Sequence, residues 1–188
     1  MPLRRTRPTD QVAAPRPPSL ESVCRAHTAD IARWAQRLGG PGVDVDETVQ
    51  DVLLTVSRRL GEFRGEAKIT TWLFRITARV ASNHRRSARR RRVWARLTRR
   101  IEETAPLEGA GPGAGLEEEE TRRRFYRALD TLPERHRQVL VLFELEELDT
   151  TEIARMVDRP PATVRVWLHR ARTEFVEAWQ RLRKEVDE

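Results

Sequence analysis

The stretch from Asp149 to Arg172 constrains the fold more than any other segment, because it reads as two short helices separated by a break that proline enforces. Asp149 followed by Glu152 has capping-box spacing, in which each side chain satisfies a free backbone donor, so a helix begins there. Ile153, Ala154 and Val157 give it an apolar face. Pro160 and Pro161 stop it, since proline drives the residue before it out of helical geometry. Val164, Leu168, Ala171, Phe175, Ala178 and Leu182 then recur at three- and four-residue intervals, one stripe of a second helix, leaving Arg165, His169, Arg170 and Arg172 on its other faces. A helix pair with an arginine-dense second member suits insertion into a DNA major groove, and a helical hairpin with a merely solvated basic face is the alternative for this segment alone.

The same period runs through the rest of the chain. Leu20, Val23, Cys24, His27, Ile31, Trp34, Ala35 and Leu38 trace a helix that the GGPG run at 39–42 ends. A second helix is expected from about Asp46 to Leu60, with acidic residues near its start and arginines near its end, as the helix dipole prefers. Thr70 or Thr71 can cap a third, in which Trp72, Leu73, Ile76 and Val80 face inward while Arg75, Arg79, Asn83, Arg85 and Arg86 face out. Its continuation packs nine arginines between Arg85 and Arg100, a density that costs self-repulsion unless a polyanion lies nearby; a solvated linker is the plainer alternative. Thr131, Pro133 and Glu134 have the spacing of a further capped helix start.

No strand-like alternation appears, so the expectation is an all-α chain of two small helical domains, the C-terminal one a helix-turn-helix. Residues 1–18 are too polar and proline-rich to offset ordering and read as a disordered tail. The domains are expected at 19–96 and 120–184, joined by a flexible linker at 97–119 whose glycine, alanine and proline run lacks helical period.

Lys and Arg number 36 against 29 Asp and Glu, a net charge of +7 that favours polyanionic partners without separating DNA from RNA or membrane surface. No apolar run approaches the roughly 20 residues of a membrane span, so no membrane insertion and a cytoplasmic location are expected. Cys24 is the sole cysteine, which excludes an intramolecular disulfide and a cysteine-rich zinc site; His27, His84, His136 and His169 are scattered. No metal, cofactor or catalytic residue set is expected, because neither clustered carboxylates nor an activated nucleophile stands out; a nuclease or recombinase is therefore disfavoured.

Three segments taken in order, FRGEAKITTWLFRIT, TLPERHRQVLVLFEL and TTEIARMVDRPPATVRVWLHRAR, resemble the extracytoplasmic-function group of bacterial RNA polymerase sigma factors, in the sigma-70 family. The resemblance implies a first domain, sigma region 2, that recognises and opens the promoter's minus-ten element. It implies a second, sigma region 4, that reads the minus-thirty-five element. In this family an acidic helix, here within DETVQDVLLTV, docks on the clamp helices of the largest polymerase subunit, which implies Asp46, Glu47, Gln50, Asp51 and Leu54 as polymerase contacts. The flap of the second-largest subunit and promoter DNA are further implied partners, an anti-sigma factor is a possible regulator, and the setting is the bacterial nucleoid.

The loop before Thr71 resembles the family's pocket for a base flipped from the non-template strand, which implies Arg64, Lys68, Ile69, Thr70, Arg75, Arg79, Asn83 and Arg86 as minus-ten residues. Ile69 offers no aromatic stacking where the family usually has some, and Arg79 replaces a usual asparagine, trading base reading for phosphate contact. Thr163, Arg165, Val166, His169, Arg170 and Arg172 are the implied minus-thirty-five residues. Ala162, Val166 and Trp167 depart from the family's glycine, serine and arginine. Trp72 and Trp167 share helical faces with apolar residues and are expected to pack. The alternative function is an autonomous helix-turn-helix regulator, which leaves DETVQDVLLTV and FRGEAKITTW without a role.

Overall fold

The computed structural model describes residues 18–99 and 116–187. Seven helices carry them: α1 (Leu20–Gly39), α2 (Val45–Arg59), α3 (Ile69–Arg99), α4 (Leu116–Leu129), α5 (Glu134–Glu144), α6 (Thr150–Val157) and α7 (Pro161–Asp187), with a short 3-10 turn at Leu60–Glu62. No strand occurs among the described residues. Residues 1–17 of the expected tail and 100–115 of the expected linker lie outside the described residues.

Local chemistry sets most boundaries. Ser19 caps α1 by accepting from the Ser22 amide, and Asp44 caps α2 by accepting from the Glu47 amide. Asp149 caps α6 through the amides of Thr151 and Glu152, while the Glu152 carboxylate accepts from the Asp149 amide, so the capping box is complete. Asp158 ends α6 in left-handed geometry, and Pro161 opens α7, where a missing N–H costs nothing.

Other boundaries differ from expectation. α3 starts at Ile69, before either expected threonine cap, and runs to Arg99; α4 begins at Leu116, so both ends of the expected linker are helical. The Thr131–Glu134 capping box does not form. Pro133 stands at the helix start without a side-chain cap, and the Thr131 hydroxyl donates to the Ala128 carbonyl. Glu134 is drawn away to Ser82 and Arg85, a charge-assisted contact stronger than the local cap it replaces.

α1, α2 and α3 close on Ile31, Leu38, Val52, Val56, Leu73 and Phe74, each no more than 1% exposed, with Trp34 edge-on to Phe74 at 5.5 Å. Each such side chain contributes about 1.5–3 kcal/mol on burial. α5, α6 and α7 close on Val139, Leu142, Ile153, Val164 and Ala171, and α4 adds Leu129 against them.

The two halves are packed on each other: α1 meets α5, and α3 meets α6. Arg85, expected on the outer face of α3, turns inward, its side chain only 16% exposed, and pairs with Glu134 of α5 while donating to the Leu38 carbonyl at 3.1 Å. Across the same seam Glu146 pairs with Arg33 at 3.0 Å and Arg37 at 2.7 Å, and Arg37 donates to the Leu145 carbonyl. Among the described residues five arginines therefore join the halves, counting Arg75 and Arg137, both described below.

Candidate polymerase and nucleic-acid interfaces

On α2, Val52 and Val56 are fully buried and Thr48 joins them, which leaves Asp46, Glu47, Gln50, Asp51 and Leu54 on the exposed side. Leu54 is 53% exposed, an apolar side chain in water at the centre of an otherwise acidic strip. The structure brings all five expected residues to one surface. It also adds His84 of α3, whose Nε2 lies 2.7 Å from the Asp51 carboxylate and whose Nδ1 lies 3.7 Å from that of Glu47. His84 fixes the acidic strip against α3, a role visible only once the two helices pack.

The loop before α3 exposes Arg64 and Lys68, while Ile69 and Thr70 are half-buried at the first turn of the helix. Gly65 adopts φ +73°, a left-handed conformation that disfavours any side chain and turns the chain back toward α3. Ile69 has no ring, but Phe63 and Trp72 bracket this loop with ring centroids 5.6 Å apart. Trp72 packs against the core, as its helical face requires.

Along α3, Arg79, Asn83 and Arg86 are exposed in register, and Arg86 donates to the Asn83 side-chain oxygen at 2.8 Å. Arg75 lies on the same face but is engaged. Its guanidinium donates to the carbonyls of Met156 at 3.0 Å and Arg155 at 2.9 Å, and approaches Asp158 at 3.7 Å. Those carbonyls belong to the last turn of α6, where a helix lacks internal partners and welcomes a cation. Arg75, Arg79 and Arg86 line a cleft of about 300 Å³ between α3 and the α5–α6 side, with Glu134, Gln138 and Met156 opposite.

On α7, Val164, Leu168 and Ala171 are buried, and Arg165, Val166, His169 and Arg170 project to solvent; Val166 is 50% exposed. Thr163 is half-buried in the first turn. Trp167 packs at the edge of the core beneath the Arg135 guanidinium, 5.9 Å from its ring centroid. Arg172 separates from this group: it pairs with Glu144 at 2.8 Å and lies over Phe143 at 4.7 Å. The structure thus gathers four of the six expected α7 residues on one exposed face, sets Thr163 at its margin, and ties Arg172 to α5.

One surface went unread in the sequence. Phe125, Leu129, Leu140, Val141, Phe175 and Val176 line a groove of about 310 Å³ between α4, α5 and α7, with Glu144 and Arg172 at its rim. Among the described residues no group of three or more His, Cys, Asp or Glu is arranged to hold a metal ion, and no helix is long and apolar enough to cross a membrane.

Comparison with known proteins matches residues 23–91 to sigma-70 region 2 and residues 122–175 to sigma-70 region 4. The chain is 35% identical over 137 residues to the ECF RNA polymerase sigma-E factor of Escherichia coli (strain K12), covering 70% of this chain and 72% of that protein. It is 30% identical over 149 residues to the RNA polymerase sigma-H factor of Pseudomonas aeruginosa, covering 76% of each. The fold matches CnrH, solved in complex with the cytosolic domain of CnrY, with TM-score 0.57, 20% identity and coverage of 84% of this chain and 85% of that one. It also matches the sigma factor RpoE of Bartonella quintana, solved with the anti-sigma factor NepR, with TM-score 0.51, 19% identity and coverage of 85% and 96%. Both relatives are factors that serve RNA polymerase, and the two matched regions stand here in the order expected from the sequence. The chain belongs to the extracytoplasmic-function group of the sigma-70 family, and its function is that of a sigma factor directing RNA polymerase to promoters for transcription initiation.

Proposed function

We propose that the chain works purely by binding, in three places. The exposed strip of α2 centred on Leu54 seats on the clamp helices of the largest polymerase subunit. The loop at 64–70 and the face of α3 carrying Arg79, Asn83 and Arg86 hold the opened minus-ten element. Arg165, Val166, His169 and Arg170 of α7 enter the major groove of the minus-thirty-five element, with arginine suited to bidentate guanine contact and valine to a thymine methyl. Catalysis belongs to the polymerase, and the working location is the bacterial nucleoid.

The apolar groove between α4, α5 and α7 suits an apolar element of the flap of the second-largest subunit. The same groove and the α3–α6 cleft suit an anti-sigma factor; the sigma factor RpoE was solved with the anti-sigma factor NepR, and CnrH with the cytosolic domain of CnrY.

The observation that carries this proposal is the exposure of Leu54 on a helix whose opposite face is fully buried. Leu54 has no role in this chain's own core, and its place on the helix that resembles the family's clamp-binding helix supports a protein partner there.

The packed arrangement has a further consequence for the proposal. Two promoter elements about 25 base pairs apart are separated by about 85 Å of B-DNA at 3.4 Å per pair, whereas Arg75 of α3 touches the carbonyls of α6. Reading both elements at once therefore requires the halves to part, which frees Arg75 for the minus-ten strand. A pull-down with purified core polymerase at near-physiological salt tests the proposal, with retention expected for the native chain and loss for Leu54→Asp. Failure of the native chain to bind would favour an autonomous regulator instead.

A further inference from the structure

We propose that the cleft between α3 and the α5–α6 side binds a small organic phosphate, the size of a nucleoside mono- or diphosphate, and that this ligand holds the two halves closed. The site itself rests on the cleft alone; its consequence for promoters rests on the proposed minus-ten role of Arg79 and Arg86.

Helical spacing builds one wall. Arg75, Arg79, Ser82 and Arg86 follow one another at steps of four, three and four residues, so a turn of about 100° per residue leaves all four within about 60° of each other on α3. All four line the cleft, and Glu134 and Gln138 of α5 with Met156 and Val157 of α6 supply the facing wall. Phe74 and Ala78 join Met156 and Val157 to make part of the lining apolar.

The charges in this cleft do not cancel. Among the described residues lining it, Glu134 is the one carboxylate, and its oxygens are already held: Oε2 accepts from Ser82 Oγ at 2.9 Å and from Arg85, and Oε1 accepts from Gln138 at 3.1 Å. Arg75 donates to neutral carbonyls and only approaches Asp158, at 3.7 Å. Arg86 donates to the neutral oxygen of Asn83, and among the described residues no carboxylate lies within ion-pair distance of Arg79 or Arg86. Three guanidinium groups therefore share a cleft whose single carboxylate a fourth, Arg85, already pairs. Walls of one sign around a low-dielectric cleft concentrate small counter-ions, and the guanidinium fork matches phosphate oxygens in particular. An amide carries two N–H donors, so Gln138 retains one for a ligand after serving Glu134.

Size selects among anions. The cleft holds about 300 Å³, the lower end of the roughly 300–1,000 Å³ typical of small-molecule sites, which favour domain interfaces and combine apolar lining with a few convergent polar groups. That space suits one or two phosphates on an apolar or planar body. Because its walls come from different halves, such a ligand binds the closed chain and not the parted one. At ten times its Kd it multiplies the ratio of closed to parted chains by about eleven. It also occupies Arg79 and Arg86, the groups proposed to hold the minus-ten strand, so it opposes promoter reading on both counts.

The test titrates ADP into the full chain by isothermal calorimetry at near-physiological salt, with adenosine as the uncharged comparison. One site with a Kd below about 1 mM is expected for ADP, and no binding for adenosine. R79Q/R86Q should weaken ADP at least about tenfold, and Gln138→Ala, on the facing wall, about three- to fivefold. R89Q/R90Q removes the same charge from α3 outside the cleft and should stay within about twofold of native. Circular dichroism and melting temperature verify that each variant folds. ADP should also raise energy transfer between dyes on α2 and α7. Absence of ADP binding, equal binding of adenosine, or an equal loss in R89Q/R90Q overturns the site. Unchanged binding in Gln138→Ala overturns it too, since the ligand would then sit on α3 alone, and unchanged energy transfer overturns the closure. A hexaglutamate peptide that binds more tightly than ADP would overturn it in favour of an acidic protein segment. Binding of a minus-ten single strand by the polymerase-bound chain, measured in parallel, separates the two readings: if R79Q/R86Q loses ADP but keeps the strand, the minus-ten role fails and the site stands, whereas loss of the strand with no ADP binding in the native chain sinks the site alone.

Discussion

Arg137 donates two hydrogen bonds to a single carbonyl, that of Leu38, from Nε at 3.0 Å and from Nη2 at 2.8 Å, across 99 residues of sequence. Leu38 lies in the last turn of α1, whose carbonyls lack helical partners, so a side chain from α5 caps a helix in the other half of the protein. Its remaining nitrogen, Nη1, meets Asp130 at 3.0 Å. Burial, reinforced by the nearby Arg85, pushes the guanidinium down to about 10, so Arg137 stays charged at neutral pH with its donors directed at these partners.

Replacing Arg137 by alanine empties a fully buried site, strips the Leu38 carbonyl of two of its donors and leaves it the Arg85 bond at 3.1 Å. The expected cost is about 3 kcal/mol, read as a shift of the urea midpoint, with the melting temperature falling in parallel. A change below about 1 kcal/mol would mean that the halves do not depend on this cap.

Glu134 supplies a pH dependence. Burial alone would raise its carboxyl, but the Arg85 charge, with hydrogen bonds from Gln138 and Ser82, outweighs burial and holds it below the ordinary value of 4.5. A depressed folded-state carboxylate contributes stability that is complete above 4.5 and is lost as pH falls through the lower folded-state value. The α3–α5 seam is therefore expected to loosen as pH falls below 4.5, seen as a fall in energy transfer between dyes on α2 and α7. Glu134→Gln should start looser at neutral pH and show a flatter acid response; identical acid profiles would remove Glu134 from the seam's electrostatics.

Leu54→Asp separates binding from folding. At 53% exposure the substitution should alter stability by no more than about 0.5 kcal/mol, while affinity for core polymerase falls at least tenfold, measured by fluorescence titration. Equal affinities would move the polymerase contact away from α2.

Arg165→Ala is expected to cost roughly 1–3 kcal/mol of discrimination at one minus-thirty-five position, read from competition between matched and single-base-mismatched promoters. Arg172→Ala should cost less discrimination and more stability, because Arg172 pairs with Glu144 and covers Phe143. The reverse ranking would return Arg172 to the DNA-facing set.

The elements whose information is local were legible in the sequence. The Asp149–Glu152 cap, the proline break and the apolar stripes of α1 and α7 follow from neighbours three or four residues apart, and the structure carries them nearly to the residue. The family was legible because its segments stand in order along the chain. What was not legible depends on residues far apart in sequence. Arg85 and Arg75 read as outward cations by helical position, and only the partners Glu134, Met156 and Arg155 in the other half turn them into ties. Glu134 read as a local cap for the same reason. The groove under Phe125 and Val176 escaped because its lining is drawn from three helices, none of which shows it alone.

Run-off transcription with purified core polymerase on fragmented genomic DNA, with every start site sequenced in the presence and absence of this chain, tests the central claim most directly. Addition of the chain should create a new set of starts that share two sequence elements about 25 base pairs apart, two to three turns of B-DNA. Start sites that are the same with and without it would contradict the account.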